Sequence, residues 1–412
     1  MKIAIVNNAA NYLEFNVNLI KYLQKSGHEL IYLNPDYFIR KQLSKHHIPY
    51  VNCGKANAEE HYYSERHKLI QYYLRNYRLK STEKLIREKN REYTACKSAL
   101  KDAGLDMVLI LNGLFNVETD VCRELKIKTF FFEHGYFPNS IQMDPEGVNA
   151  DASFAELNYT DFLEFTYPHT SFMPDPEFNL EKVRHNEGVR ALYRLVDPRY
   201  NRFLINFISK KRNQDKAKKR FQKAKVEEIN YDGIGKYVFF PLQVNSDTQV
   251  ILNSPYNSMY AAVEYILPEL LKAGYKVIIK EHPMEVEPVD YSRFIDNDRV
   301  LLTQKSDLDE LIKKSEFVVN INSSVGLQSV AQYKKVLLLG KAFYKNNPSC
   351  FAVHDFADPG EAFRAIDGTP VDKKAIDAYV KHFKTEIFIP GHFYKTDKDF
   401  LERIRNRLEA IK

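Results

Sequence analysis

The sequence has no tryptophan, so its large buried rings come from tyrosine and phenylalanine, 27 of each. Its four cysteines, Cys53, Cys96, Cys122 and Cys350, lie far apart and form no CxxC pair. That spacing argues against a disulfide framework or a zinc site and leaves free, mostly buried thiols. No apolar run approaches the roughly 20 residues that a membrane-spanning helix needs. The opening MKIAIVNNAANYLEF lacks the basic-then-apolar layout and the small-residue cleavage site of a signal peptide. Together these absences point to a cytoplasmic protein.

What is present is the balance of a globular protein: 44% hydrophobic residues, 28% charged residues and a net charge of +6. A length of 412 residues predicts two domains. Short apolar runs at 2–6, 29–33, 107–111 and 128–132 read as buried strands, with a helix at 15–25 between the first two. Residues 57–103, polar and rich in Lys, Arg, Glu and Tyr, read as one or two extended helices. After NYDGIG (230–235), a linker signal, a second series begins, with strands at 237–240, 276–280, 317–320 and 336–339. Helices are expected at 257–273, 306–315, 325–332, 371–384 and 398–411. Strands alternating with helices predict an α/β protein of two doubly wound, Rossmann-type domains facing a cleft. The expected boundaries are 1–230 for an acceptor-side domain with helical insertions and 236–385 for a nucleotide-sugar domain. The tail, 386–412, is expected to cross back to the first.

Ligands of open parallel sheets bind beyond the carboxyl ends of the strands. Three such segments in the second half hold suitable residues. The first, PLQVNSD (241–247), supplies Gln243 and Asp247, a carboxylate able to act as nucleophile or base, or simply to cap a helix. The second, KEHP (280–283), delivers Lys280 and His282 to a strand tip that Pro283 terminates. His282 can donate to a phosphate oxygen and Lys280 can supply charge. In the third, NINSSVG (320–326), a strand runs through Ser323 and Ser324 into a helix start, where N–H groups and hydroxyls suit phosphate. An ordinary serine cap explains one of those two serines equally well. Asp307-Leu308-Asp309, at a helix start, is structural, and no metal-ligand spacing stands at a strand tip.

The ordered set PLQVNSD, KEHP, NINSSVGLQS and LLLGKAFY, preceded by FFEHGYFPNSIQMDPEGVN (131–149), resembles the capsule polysaccharide synthesis family of the KpsS/LipB and KpsC type. The resemblance covers about residues 107–350 and implies a GT-B-like scaffold. It also implies transfer of Kdo from CMP-β-Kdo, with retention, to a glycan or lipid-linked acceptor in bacterial capsule synthesis. By the same resemblance Asp247 is the nucleophile and Glu133 the general acid/base. His282, Pro283, Lys280, Ser323, Ser324 and Gln243 would hold the CMP donor, and His134 and Asn149 would orient substrate. No cofactor or metal is expected. Retention by double displacement needs a carboxylate on one side of the anomeric carbon and a proton-handling group on the other, which fits the pair.

Residues 209–225 (SKKRNQDKAKKRFQKAK) hold nine Lys/Arg against one Asp. Such a run can lie on an anionic inner-membrane surface as a peripheral contact, hold a polyanionic glycan, or solubilise a helix. No nucleic-acid module accompanies it, so nucleic acid is not an expected partner. Two other readings stand beside the Kdo transferase. One is a GT-B enzyme using CMP-sialic acid, a UDP-sugar or CDP-glycerol. The other is a non-catalytic capsule-assembly scaffold.

Overall fold

A computed structural model gives the chain as two compact units. It describes residues 1–7, 12–57, 60–77, 81–111, 116–167, 229, 234–245, 247–285, 289–296 and 298–410. The basic run 209–225 and residues 230–233 of the expected linker lie outside them.

The described part of the first unit falls within residues 1–153, 166–167 and 382–410. Strands β1 (Lys2–Val6), β2 (Glu29–Leu33), β3 (Tyr50–Val51), β4 (Met107–Leu111) and β5 (Lys128–His134) run parallel in the order β5-β4-β1-β2-β3. β6 (Ser140–Asp144) adds antiparallel to β5, and a C-terminal strand, Ile389–Pro390, adds antiparallel to β6. Helices α1 (Leu13–Lys25), α2 (Tyr37–Lys45), α3 (Lys68–Tyr77), α4 (Thr82–Lys101) and α5 (Val117–Glu124) complete the unit, with the helix Lys398–Ala410.

Strand alternation decides which layer each residue meets. Ile3, Ile5, Leu109, Phe130 and Phe132 pack against Phe15 and Leu19 of α1 and against Phe400 and Ile404 of the last helix. Ala4, Val108, Ile110 and Phe131 pack the other way, against Tyr93, Cys96 and Val121 of α4 and α5. Both faces are covered, which is why these strands are apolar throughout. The expected helix over 57–103 begins later than the sequence suggests. Residues 60–67 form a loop whose Tyr62 and Tyr63 N–H groups both donate to Asn90 Oδ1 on α4, at 3.1 and 2.8 Å. A side chain that satisfies two loop amides makes a helix unnecessary there.

In the second unit six parallel strands run in the order β12-β11-β10-β7-β8-β9. They are β7 (Tyr237–Pro241), β8 (Lys276–Lys280), β9 (Val300–Thr303), β10 (Phe317–Asn320), β11 (Lys335–Leu338) and β12 (Cys350–Ala352). The helices are α6 (Tyr159–Glu164), α7 (Thr248–Leu252), α8 (Met259–Lys272), α9 (Leu308–Lys314), α10 (Ser324–Ala331), α11 (Pro359–Gly368) and α12 (Lys373–His382). Counted from β7 the order is 6-5-4-1-2-3, the doubly wound Rossmann arrangement. The chain leaves β7 toward β8 on one side and returns to β10 on the other, so the crevice between β7 and β10 is the topological switch point.

The unit boundaries differ from the sequence expectation. Residues 154–165, expected in the first domain, cluster with the second unit, and the second unit ends at Lys381 rather than at 385. The cause is aromatic packing and pairing. Phe154 meets Phe343 at 5.7 Å, Phe162 meets Tyr379 at 4.7 Å, and the Tyr159 hydroxyl donates to the Ala375 carbonyl at 2.9 Å.

Candidate functional site

In the second unit the residues expected at the donor sit on three loops that leave β7, β8 and β10. Gln243, 5% exposed, spans the switch point. Its Nε2 donates to Asn322 Oδ1 at 3.1 Å, and its Oε1 accepts from the Asn322 N–H at 3.3 Å. The Asn322 amide also donates to the Gln249 carbonyl at 3.1 Å. The loops after β7 and β10 are thereby one hydrogen-bonded piece, and a buried amide with its bonds made resists rearrangement.

Asp247 ends the β7 loop and caps α7. Its Oδ1 accepts from the Gln249 N–H at 2.9 Å. Its Oδ2 receives a 3.4 Å contact from Gln243 Nε2, too long and weak to occupy it fully. The residue is half-buried, one carboxylate oxygen fixed by the helix and the other held only by the long contact with Gln243. Capping and nucleophilic readings of this residue are therefore compatible.

His282 follows β8. Its Nδ1 accepts from the Met284 N–H at 3.1 Å, which puts the ring proton on Nε2 and leaves that N–H as a donor. Burial holds the imidazole below its usual value, partly opposed by the Asp247 and Glu285 carboxylates and reinforced by Lys280. A neutral imidazole with a fixed tautomer is a directional donor rather than a point charge. Pro283 is exposed beside it. Lys280 has another partner: its Nζ donates to the Gln304 carbonyl at 2.6 Å, which ties it to the loop after β9. Burial lowers the lysine's proton affinity, with Asp307 pulling the other way.

Ser323 caps α10, its Oγ accepting from the Val325 N–H at 3.2 Å, and half-buried Ser324 is the first helical residue. The turn is held from behind. Asn320 Nδ2 and the Tyr344 hydroxyl donate to the Ser323 carbonyl at 3.1 and 2.7 Å, and Asn320 Nδ2 lies 3.0 Å from that hydroxyl. Gly326 makes room for the pair: a Cβ there would stand 2.1 Å from the Tyr344 hydroxyl and 2.4 Å from Asn320 Nδ2. Asp307 caps α9 by accepting from the Glu310 N–H at 2.9 Å.

In the first unit Glu133 and His134 end β5. Glu133 Oε1 accepts from the His134 N–H at 2.8 Å. The two side chains lie on opposite faces of the sheet, because Glu133 follows Phe131 in the alternation and His134 follows Phe132. The His134 ring packs against Phe393 and His392, and its Nε2 lies 2.8 Å from the Tyr12 hydroxyl. Burial lowers the proton affinity of His134, and burial together with His134 lowers that of His392 to about 4. Asn149, with φ +56° and buried, is committed to Gln142. Its Oδ1 accepts from Gln142 Nε2 at 3.0 Å, and its N–H donates to Gln142 Oε1 at 2.9 Å. Gly135 is obligatory, since a Cβ would lie 2.0 Å from Ser140 Oγ.

The family described as "Capsule polysaccharide biosynthesis protein" matches residues 115–394, more than half of the chain and including both sets of residues above. The chain belongs to that family. It is 26% identical to the capsule polysaccharide modification protein LipB of Neisseria meningitidis over 305 residues, 66% of this chain and 70% of LipB. It is 27% identical to protein FixF of Sinorhizobium fredii over 58% of this chain, where the match spans 49% of FixF, about half its length. Among solved structures it is similar to KpsC of Thermosulfurimonas dismutans, a beta Kdo 2,7 transferase, at 13% identity and a TM-score of 0.38. That likeness covers 85% of this chain and 82% of KpsC and is too distant to carry an argument.

Within this capsule family chain, several residues at the site escape a reading of the sequence. Asn322 and Asn320 lie inside the NINSS segment, whose serines are the residues with the evident phosphate chemistry. Tyr344 lies in LLLGKAFY, 21 residues beyond the Ser323 carbonyl it holds. Asn245 and Glu285 meet across 40 residues of sequence. The signal for Asn320 was its place at the tip of a strand otherwise apolar, since a buried amide there must be satisfied by something. Among the described residues, no group of three or more His, Cys, Asp or Glu side chains could hold a metal ion. None of the described helices is long and apolar enough to cross a membrane.

Proposed function

We propose that the chain is a retaining glycosyltransferase of GT-B type that takes Kdo from CMP-β-Kdo and places it on a glycan or lipid-linked acceptor during capsule synthesis. The observation that carries the proposal is the placement of Asp247. It stands on the loop after β7, beside the switch point at which a Rossmann sheet binds its ligands, with one oxygen held by α7 and the other in only a 3.4 Å contact with Gln243.

The chemistry divides into two displacements. Asp247 Oδ2 attacks the anomeric carbon as the bond to the phosphate oxygen breaks, and CMP leaves with that electron pair. The acceptor hydroxyl then attacks the same carbon, its proton passing to the Glu133 carboxylate, and Asp247 departs as the carboxylate it began as. Two inversions give net retention. His282 Nε2–H and the N-terminus of α10, with Ser323 and Ser324, would bind the cytidylate phosphate. Lys280 would add charge beside the phosphate, while one bond to the Gln304 carbonyl ties the β8 and β9 loops together.

Family membership and this donor-side arrangement support the reading. A donor screen tests it: purified protein is incubated with CMP-Kdo generated in situ, CMP-sialic acid, UDP-sugars and CDP-glycerol. CMP release from CMP-Kdo, with acceptor oligosaccharide present, is the expected result. Turnover of another donor in its place would discard the Kdo assignment.

A further inference from the structure

Two loops of the donor site are joined by a contact that belongs to neither sequence motif. Glu285 Oε2 accepts from the Asn245 backbone N–H at 2.7 Å and from Asn245 Nδ2 at 3.0 Å. Asn245 lies on the loop that carries Asp247, and Glu285 on the turn that carries His282. Each side of the contact is anchored in turn. Asn245 Oδ1 accepts from the Met259 N–H at 2.8 Å, where α8 begins, and Asp247 N–H closes a turn onto the Val244 carbonyl at 2.9 Å. Across the gap, the Glu285 N–H donates to the His282 carbonyl at 3.0 Å, while the Met284 N–H fixes the His282 ring. Asn245 is 8% exposed and Glu285 is half-buried, so the two donors of this charge-assisted contact are largely withdrawn from water.

We infer that Glu285 and Asn245 form a clasp that sets the distance between the nucleophile and the donor-phosphate ligand, making both positioning residues for the donor. The inference rests on the donor-site reading above. Neither residue touches the reacting atoms. The phosphate held by His282 and the anomeric carbon attacked by Asp247 belong to one small molecule, joined through a single oxygen. A shift of about 1 Å between the loops therefore costs rate as well as affinity. A surface salt bridge would leave such spacing loose, whereas one carboxylate oxygen shared by a backbone and a side-chain donor fixes it in two directions.

Removing the side-chain donor and neutralising the acceptor test the clasp. Asn245→Asp keeps an oxygen for the Met259 N–H but replaces the side-chain donor with a second carboxylate facing Glu285. Glu285→Gln keeps an oxygen that can accept from both Asn245 donors and removes only the charge. The readouts are CMP affinity by calorimetry, the rate of adduct formation from CMP-Kdo, and the urea unfolding midpoint. The single Asn245→Asp variant is expected to weaken CMP binding about tenfold and to slow adduct formation further. The Glu285→Gln variant is expected to keep most of both. Glu285→Ala should resemble the Asn245→Asp variant and serves if Asn245→Asp fails to fold. CMP binding and adduct formation in Glu285→Ala at the wild-type level would overturn the clasp, as would a folded Glu285→Gln variant no better than Glu285→Ala. Wild-type protein that binds no CMP would instead overturn the donor reading, and the clasp's role with it, before any variant is made.

Discussion

Gln243 and Asn322 exchange two hydrogen bonds across the switch point of the second unit, Nε2 to Oδ1 at 3.1 Å and N–H to Oε1 at 3.3 Å. The pair ties the loop that leaves β7 to the loop that leaves β10, and the proposed donor would sit beside it, among Asp247, His282 and the start of α10. Gln243 Nε2 also lies 3.4 Å from Asp247 Oδ2. A ligand that displaced Gln243 would break its bonds to Asn322 and its contact with Asp247 together.

The two roles of Asp247 can be separated. Asp247→Asn keeps an oxygen to cap α7, since asparagine caps as well as aspartate, but it cannot form a glycosyl ester. Unfolding in urea should show this variant within about 0.5 kcal/mol of wild type, and Asp247→Ala should lose about 1 kcal/mol with the cap. Neither should transfer sugar. Equal stability of the two variants would show that the cap seen at 2.9 Å contributes nothing.

Glu133→Gln should stop the reaction at its midpoint. Without the base the acceptor hydroxyl keeps its proton, and the second displacement slows by about 10²–10⁴-fold. The first displacement does not need Glu133. Rapid-quench kinetics should therefore show one burst of CMP per enzyme with little product, whereas loss of the burst as well would assign Glu133 to donor binding or leaving-group departure.

Acid should loosen the fold before carboxylates titrate. His134, His282 and His392 are all held below the usual histidine value, chiefly by burial, and His392 lies near 4 instead of 6.5. The unfolded chain then takes up protons that the folded one refuses. Stability is full above about pH 6.5 and falls as the pH drops from there toward 4. His392 alone should account for about 1–2 kcal/mol, less than the full shift implies because solvent and side-chain relaxation screen the charge. Urea midpoints measured between pH 7.5 and 4 check this. His392→Gln should flatten the slope, and an unchanged slope would place the titration elsewhere.

Gly326→Ala should damage the donor site without touching a donor ligand. The added methyl would stand 2.1 Å from the Tyr344 hydroxyl and push it off the Ser323 carbonyl. A loss of about 1–3 kcal/mol in unfolding free energy is expected, with weaker CMP binding from a displaced α10 start. Tyr344→Phe in the same background should recover part of the stability, because the clashing oxygen is gone.

Much of this fold is legible in the sequence where the chain is buried on both sides. The strands at 2–6, 29–33 and 107–111 stand in the structure with the same bounds, because four or five consecutive apolar residues between turns have few other solutions. β6 does not stand out in the sequence because Ser140–Asp144 mixes polar and apolar residues, although Gly135, Pro138 and Asn139 before it are turn signals. β3 and Ile389–Pro390, at two residues each, are too short for any periodicity to show. At the site, residue type was legible but partnership was not. Lys280 reads as a phosphate ligand, but its bond to the Gln304 carbonyl, 24 residues on, has no signal in the sequence. Glu133 and His134 read as one motif, yet a strand sends neighbours to opposite faces. Asn149 reads as a substrate ligand, and its left-handed backbone is held by two bonds to Gln142, one to its side-chain oxygen and one from its backbone N–H.

The central claim is that Asp247 becomes covalently attached to the sugar. Intact-protein mass spectrometry after brief exposure to CMP-Kdo without acceptor tests it most directly. The account predicts a mass increase of one Kdo residue, located to Asp247 by peptide mapping, stronger in Glu133→Gln and absent in Asp247→Asn. An Asp247→Asn variant that still acquired the adduct, or that still transferred Kdo, would contradict it.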